Sequence, residues 1–143
     1  MIILDTNVIS ALMQSPIDVQ VVDWLDRQPA ESIWITSITL FETQFGLALL
    51  PKGKRRQSLE KSFLQMMTED FQHRILDFDS TAASESAQLA ADRKRRGRPV
   101  DIRDTQIAGI ALARRASLAT RNIRHFSDLN IPVVNPWELH TSP

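Results

Sequence analysis

At 143 residues, with 43% hydrophobic and 24% charged side chains, the chain has the length and composition of one globular domain, spanning 1–143, with a sizeable core. It carries 17 basic and 17 acidic residues and no cysteine. Net charge therefore names no partner, while disulfides, zinc–thiolate sites and thiol nucleophiles are excluded. No apolar run approaches a membrane span and the start lacks the basic region of a secretory signal, so a cytoplasmic protein with no membrane partner is expected.

Ile2-Ile3-Leu4 reads as a short strand buried on both faces, as in a parallel sheet. It stops at Asp5, and Thr6-Asn7 can cap a helix running from Val8 to Met13. Pro16 suits the first turn of a second helix, with Val19, Val22 and Leu25 at helical spacing and Pro29 closing it. Ser32 to Thr36 is a second strand. The helix after it, Ser37 to Leu50, takes Ser37 as its cap and Ile38, Phe41, Phe45 and Leu49 as its apolar spacing. Glu42 is the single acid between Ile33 and Leu50 and is expected to face inward, where a carboxylate needs a hydrogen bond or a cation.

Pro51 and Gly53 break the chain before a helix from Lys54 to Glu69 that carries Leu59, Phe63 and Met66. Ile75 to Phe78 is the third strand. Asp79 or Ser80 caps a helix from Thr81 to Arg96, which Gly97 ends. Asp101-Ile102-Arg103-Asp104 opens a helix that continues to Ala113. Ser117 to Thr120 is the fourth strand, residues 121–126 a loop, and Ile131 to Val134 the fifth strand. Strands alternating with helices define an α/β fold with a mostly parallel sheet.

Three acids stand out by position: Asp5 after a strand, Glu42 in an apolar helix, and Asp104 in a helix's first turn. Each has a structural alternative, since Asp5 can serve as a helix cap and Asp104 can pair with Asp101 at a helix start. Together they offer the few hard oxygens that magnesium or manganese takes. Two carboxylates about 5 Å apart repel by roughly 3 kcal/mol at an effective dielectric near 20, and three mutual pairs by about 10 kcal/mol, so convergence would call for a cation. Two basic clusters suit an RNA backbone: Lys52, Lys54, Arg55 and Arg56, and Arg93, Lys94, Arg95, Arg96 and Arg98. The second also suits a helix C-terminus. With 6% aromatic residues, RNA recognition by shape is expected over base stacking. His73, His125 and His140 lack a metal-binding spacing, and Trp24, Phe63, Phe71 and Trp137 are expected in the core or an interface. No Gly-rich phosphate loop or G-x-S-x-G elbow is present, and Asn7 stands where a phosphotransferase would place a second Asp.

Ile3 to Ser10 resembles the opening of the PIN-domain family, in particular its VapC-type and FitB-like toxins. Ser37 to Glu42 with Gly46 resembles the family's second acidic motif, Asp104 to Ala108 its third, Thr120-Arg121-Asn122 its fourth, and Asn135-Pro136-Trp137 a common ending. The resemblance implies a three-layer α/β/α fold with a short, mostly parallel sheet of about five strands. It implies a Mg2+-dependent endoribonuclease (Mn2+ being the other candidate ion), the toxin of a type II toxin–antitoxin pair, acting on transfer or ribosomal RNA. By the same resemblance Asp5, Glu42 and Asp104 are metal ligands and catalytic, with Glu42 binding directly or through water. Thr6, Thr120, Asn122 and Asp101 would support them. A homodimer is implied, as is a cognate antitoxin that lays a short helix on the toxin and a basic side chain in its acidic pocket. The chain departs from the family pattern at Asn122 and His125, where a fourth acid is common, and at Ala11, where many relatives have Glu. Those departures raise two alternatives: a catalytically weak module that binds RNA or protein, and an RNA-processing nuclease without an antitoxin.

Overall fold

The computed structural model describes residues 1–138. Its five strands are β1 (Ile2–Leu4), β2 (Ile33–Thr36), β3 (Ile75–Leu76), β4 (Ser117–Ala119) and β5 (Val133–Val134). Six α-helices accompany them: α1 (Thr6–Leu12), α2 (Val19–Asp26), α3 (Ser37–Leu49), α4 (Lys54–Gln65), α5 (Ser80–Arg95) and α6 (Ile102–Arg114). The sheet is parallel throughout, in the order β3-β2-β1-β4-β5. Chain order runs outward from β1 on both sides, so β1 lies at the switch point where open α/β sheets bind ligands beyond their strand ends.

Consecutive side chains of a strand point to opposite faces, and the core divides accordingly. Leu4, Ile33 and Ile35 pack with Val8, Ile9, Val21, Trp24, Phe63 and Phe71 on the side of α1, α2 and α4. Ile3, Leu76 and Leu118 pack with Leu89, Ile107, Ile110 and Phe126 on the side of α5 and α6. The sheet is thus the middle of three layers, as the apolar runs imply. Trp24, Phe63 and Phe71 are core residues, and Trp137 is partly buried against the first cluster.

Several boundaries differ from the sequence expectation. Helix α1 begins at Thr6, because Asp5 is its cap and accepts from Thr6 N at 2.8 Å. Helix α2 begins at Val19, after a cap at Asp18. Thr36 caps α3 through Thr39 N at 3.1 Å, whereas Ser37 Oγ accepts from Phe78 N at 3.1 Å. The helix expected through Glu69 is α-helical only to Gln65 and continues as a π-helical turn, Met66–Asp70, which turns both Met66 and Met67 into the core. The loop at 121–126 contains a 3-10 turn, Ile123–Phe126, anchored by the fully buried Phe126. His140 lies outside the described residues, among which no helix is long and apolar enough to cross a membrane.

Candidate active site

The ends of β1 and β4 build the centre. Leu4 pairs with Ala119, and Asp5 N donates to Ala119 O at 2.9 Å, so the next residues of both strands, Asp5 and Thr120, are neighbours. Asp5 is 4% exposed. Its Oδ1 accepts from Thr6 N at 2.8 Å, and its Oδ2 from Thr120 Oγ1 at 2.8 Å and Asn7 Nδ2 at 3.3 Å. Thr6 Oγ1 donates to Glu42 Oε1 at 2.8 Å and lies 3.0 Å from Thr39 Oγ1. Glu42 Oε2 lies 3.7 Å from Arg103 Nη1. The guanidinium of Arg103 rests over the stacked rings of Phe41 and Phe45, 5.2 and 5.7 Å from their centroids.

Asp104 sits in the first turn of α6, whose cap is Asp101. Asp101 Oδ1 accepts from Asp104 N at 2.9 Å, which is the helix-start role the sequence allows it. Asp104 Oδ2 lies 3.2 Å from His125 Nδ1. Asn122, whose side chain is exposed, contributes main-chain bonds: its N donates to Thr120 Oγ1 at 3.1 Å and its O accepts from His125 N at 3.0 Å.

Burial pushes Asp5 from the ordinary 3.8 up to about 6, against the hydrogen bonds from Thr120 and Thr6, and the negative charges of Asp104 and Glu42 push it further. Burial, followed by the charge of Asp101, also raises Asp104, and His125 works the other way. Glu42 from α3 and Asp104 from α6 therefore both act on the Asp5 carboxylate at the end of β1. Among the described residues, no three acids and histidines lie close enough to enclose an ion by themselves. The donors are hard oxygens, and a cation would relieve both the burial of Asp5 and the repulsion between the carboxylates. The residues fit a divalent ion that keeps much of its own water.

The basic clusters separate on inspection. Lys52, Lys54 and Arg55 are exposed, while Arg56 pairs with Glu60 at 2.6 Å. Arg55 lines a cleft of about 840 Å3 between α1, α3 and α4 together with Thr6, Glu42 and Thr43. Thr43 Oγ1 is buried there with no hydrogen-bond partner among the described residues. In the second cluster Arg93 is not an RNA-facing residue. It is 3% exposed and turns inward, where its Nε and Nη2 meet the two carboxylate oxygens of Asp128 at 2.9 and 3.0 Å. Arg98 reaches the same carboxylate at 3.2 Å, which leaves Lys94, Arg95 and Arg96 as the exposed cations of that cluster.

Sequence reasoning missed Asn7, Thr39 and Arg103 as parts of this site. Asn7 had a signal, because its amide stands two residues after Asp5 and bridges Asp5, Thr120 and Arg121 N. Thr39 and Arg103 had none beyond adjacency to the acid motifs.

A buried carboxylate stands at the switch-point strand end of an α/β fold, with acids of two distant helices acting on it electrostatically. The chain belongs to the PIN-domain family, whose pattern matches residues 2–131. It is 39% identical to the plasmid stability protein StbB of Pseudomonas syringae pv. tomato and 37% identical to the VapC ribonuclease Y4jK of Sinorhizobium fredii, each match covering 96% of this chain and 99% of the relative. It is also 36% identical to the toxin FitB of Neisseria gonorrhoeae, again over 96% of this chain and 99% of the relative. The crystal structure of FitAcB from Neisseria gonorrhoeae superimposes with a TM-score of 0.88, at 36% identity over 97% of this chain and 100% of that one.

Proposed function

We propose that this protein is a metal-dependent endoribonuclease, the toxin of a VapBC-type toxin–antitoxin pair, acting in the cytoplasm on cellular RNA such as transfer or ribosomal RNA. The observation that carries this reading is the buried Asp5 carboxylate, pushed up by its burial and by the charges of Asp104 and Glu42. Kinship with proteins named VapC ribonuclease and toxin FitB supports the nuclease and toxin classes, and likeness to the FitAcB complex supports an antitoxin partner.

Asp5 and Asp104 would hold Mg2+ or Mn2+, with Glu42 binding through water. The bound ion would supply a water of lowered pKa and positive charge against the phosphate. Thr120 and Thr6 N fix both oxygens of Asp5, so that carboxylate is oriented before substrate arrives. Thr6 holds Glu42 Oε1 and Arg103 lies 3.7 Å from Oε2, so the carboxylate is oriented from both sides, and as a base it would take a proton from water at Oε2. Lys52, Lys54, Arg55, Lys94, Arg95 and Arg96 would hold RNA phosphates against the acidic site. The exposed α3 face of Phe41, Phe45 and Leu49 is the surface on which a homodimer would form.

Asp5→Asn should abolish RNA cleavage in a protein that stays folded; cleavage at the original rate would refute the assignment. Expression of the chain alone should arrest growth, and co-expression with the product of the neighbouring gene should relieve it. Relief would distinguish the toxin from an RNA-processing nuclease. A second reading, a weakly catalytic binding module, is favoured by Asn122, His125 and Ala11, which leave the site short of carboxylates. RNA binding that is unaffected by divalent ions, with no cleavage, would select it.

A further inference from the structure

His125 is a departure in sequence that the fold has built into the site. Its Nδ1 lies 3.2 Å from Asp104 Oδ2, and its side chain is 59% exposed. Its main chain is held on both sides. His125 N donates to Asn122 O at 3.0 Å, and the buried Arg93 donates from Nη2 to His125 O at 2.7 Å. Arg93 also meets Thr105 Oγ1 at 3.4 Å, one residue after Asp104, and Phe126 beside His125 is fully buried. The buried Arg93–Asp128 pair therefore locks the 3-10 turn bearing His125 against the helix start bearing Asp104. Near Asp104, this segment presents an imidazole where a carboxylate would offer oxygen.

We propose that His125 gives an imidazole nitrogen to the divalent ion held by Asp5 and Asp104, and that this mixed donor set selects Mn2+ over Mg2+. The proposal rests on the metal-dependent reading above. Mg2+ takes oxygen ligands in a strict octahedron and seldom accepts imidazole, whereas Mn2+ accepts both nitrogen and oxygen donors. His125 Nδ1 lies 3.2 Å from Asp104 Oδ2, so an ion bound at that oxygen would have the imidazole as its neighbour. Exchanging an anionic oxygen donor for a neutral nitrogen weakens the site for Mg2+ more than for Mn2+.

The test uses the purified full chain stripped of metal, with Mn2+ binding followed by electron paramagnetic resonance and Mg2+ by competition. Wild-type protein should prefer Mn2+ by about tenfold or more. Pulsed spectra of the Mn2+ form should show nitrogen coupling that changes on 15N-imidazole labelling of histidine and disappears in His125→Ala. In His125→Asp the coupling should also vanish and the preference should shrink toward parity. His125→Ala should keep the wild-type melting temperature without metal, because the side chain is exposed, whereas His125→Asp sets a second carboxylate beside Asp104 and should melt lower until a divalent ion is added. Mn2+ binding that is lost in Asp5→Asn but unchanged, in affinity and in spectrum, in His125→Ala would overturn the role of His125 and leave the nuclease reading intact. Binding of neither ion by wild-type protein would overturn both.

Discussion

Thr6 Oγ1 donates to Glu42 Oε1 at 2.8 Å, so a single hydroxyl in the first turn of α1 fixes the carboxylate of α3 beside Asp5. The same hydroxyl meets Thr39 Oγ1, which in turn lies 3.4 Å from Thr36 Oγ1, the cap of α3. The acid from the second motif is thereby placed relative to the first by a short relay of threonines. Thr6→Val keeps the shape and deletes the donor. It should cost about 1 kcal/mol in stability, the net worth of one such bond, yet lower RNA cleavage by about tenfold or more as Glu42 loses its orientation. Urea denaturation and cleavage rate measured on the same preparation would separate the two effects. An unchanged rate would remove Glu42 from the chemistry or Thr6 from its support.

Asp5 gives a pH signature to the metal-free protein. Its folded value, about 6, lies above the ordinary 3.8, so between these values the folded state binds more protons than the unfolded one. A raised acid contributes stability that is present at low pH and is lost as pH rises through the folded value. The difference corresponds to about 3 kcal/mol at most. Metal-free wild-type protein should therefore melt at a lower temperature at about pH 7 than at about pH 5, while Asp5→Asn should show a flatter profile. Millimolar Mg2+ or Mn2+ should raise the melting temperature of wild-type protein near neutral pH and have little effect near pH 5, where the carboxylate is protonated. Thermal melts with and without a chelator would measure both.

The parallel sheet and its helical layers were legible because they depend on local pattern. Ile2-Ile3-Leu4 is apolar at every position because a central strand of a parallel sheet feeds both cores, and Ile3 and Leu4 do go to opposite clusters. Asp5 was ambiguous between cap and site: one oxygen caps α1, as the local pattern allows, while the other accepts from Thr120. Arg93 was not legible. In a run of five cations near a helix end, helical periodicity turns one inward, and its partner Asp128 stands 35 residues away, out of reach of any spacing argument. The hydrogen bond between His125 and Asp104 was hidden in the same way, since it depends on a turn held by that buried arginine.

The Arg93–Asp128 pair should behave as a buried ion pair. Breaking it from one side leaves an uncompensated charge, so Arg93→Met or Asp128→Asn should destabilise the protein by roughly 3–5 kcal/mol. The hydrogen bonds and charge of Arg93 hold Asp128 below 3.8, opposed by its burial. A lowered acid contributes stability that is in place above the unfolded value and is lost as pH falls through the folded one. Acid unfolding of the wild type should therefore gain a component below about pH 4 that Asp128→Asn lacks. Circular dichroism along an acid titration would read it.

Gly109 tests the packing that places Asp104. A β-carbon there would meet the Ser86 hydroxyl and lie 2.7 Å from Ala82 O, where α5 and α6 pack side against side. The Ser86 side chain has somewhere to go only if it gives up its bond to Thr105 O at 3.1 Å, and the Ala82 carbonyl belongs to a helix main chain. Gly109→Ala, which would gain helix propensity at a free site, should instead destabilise by about 1–3 kcal/mol, the usual cost of overpacking. A shift of α6 away from α5 should also carry Asp104 off Asp5, so cleavage should fall beyond what the loss of folded protein explains. A stabilised variant would mean that the two helices separate freely.

Salt dependence distinguishes the cations that meet RNA from those that only hold the fold. Affinity for a single-stranded RNA should fall with salt along a log–log line whose slope reports the phosphates neutralised, about 0.7 for each contact. Replacing Lys52, Lys54 and Arg55 together by alanine should flatten that slope by about 2 and leave stability near wild type, because all three are exposed. The triple replacement of Lys94, Arg95 and Arg96 makes the same test of the second cluster. Arg56→Ala, which loses only an exposed pair with Glu60 and a weak bond to Leu50 O, should change the slope least. Slopes unaffected by both triple replacements would mean that the substrate reaches the acids along a face that carries neither cluster.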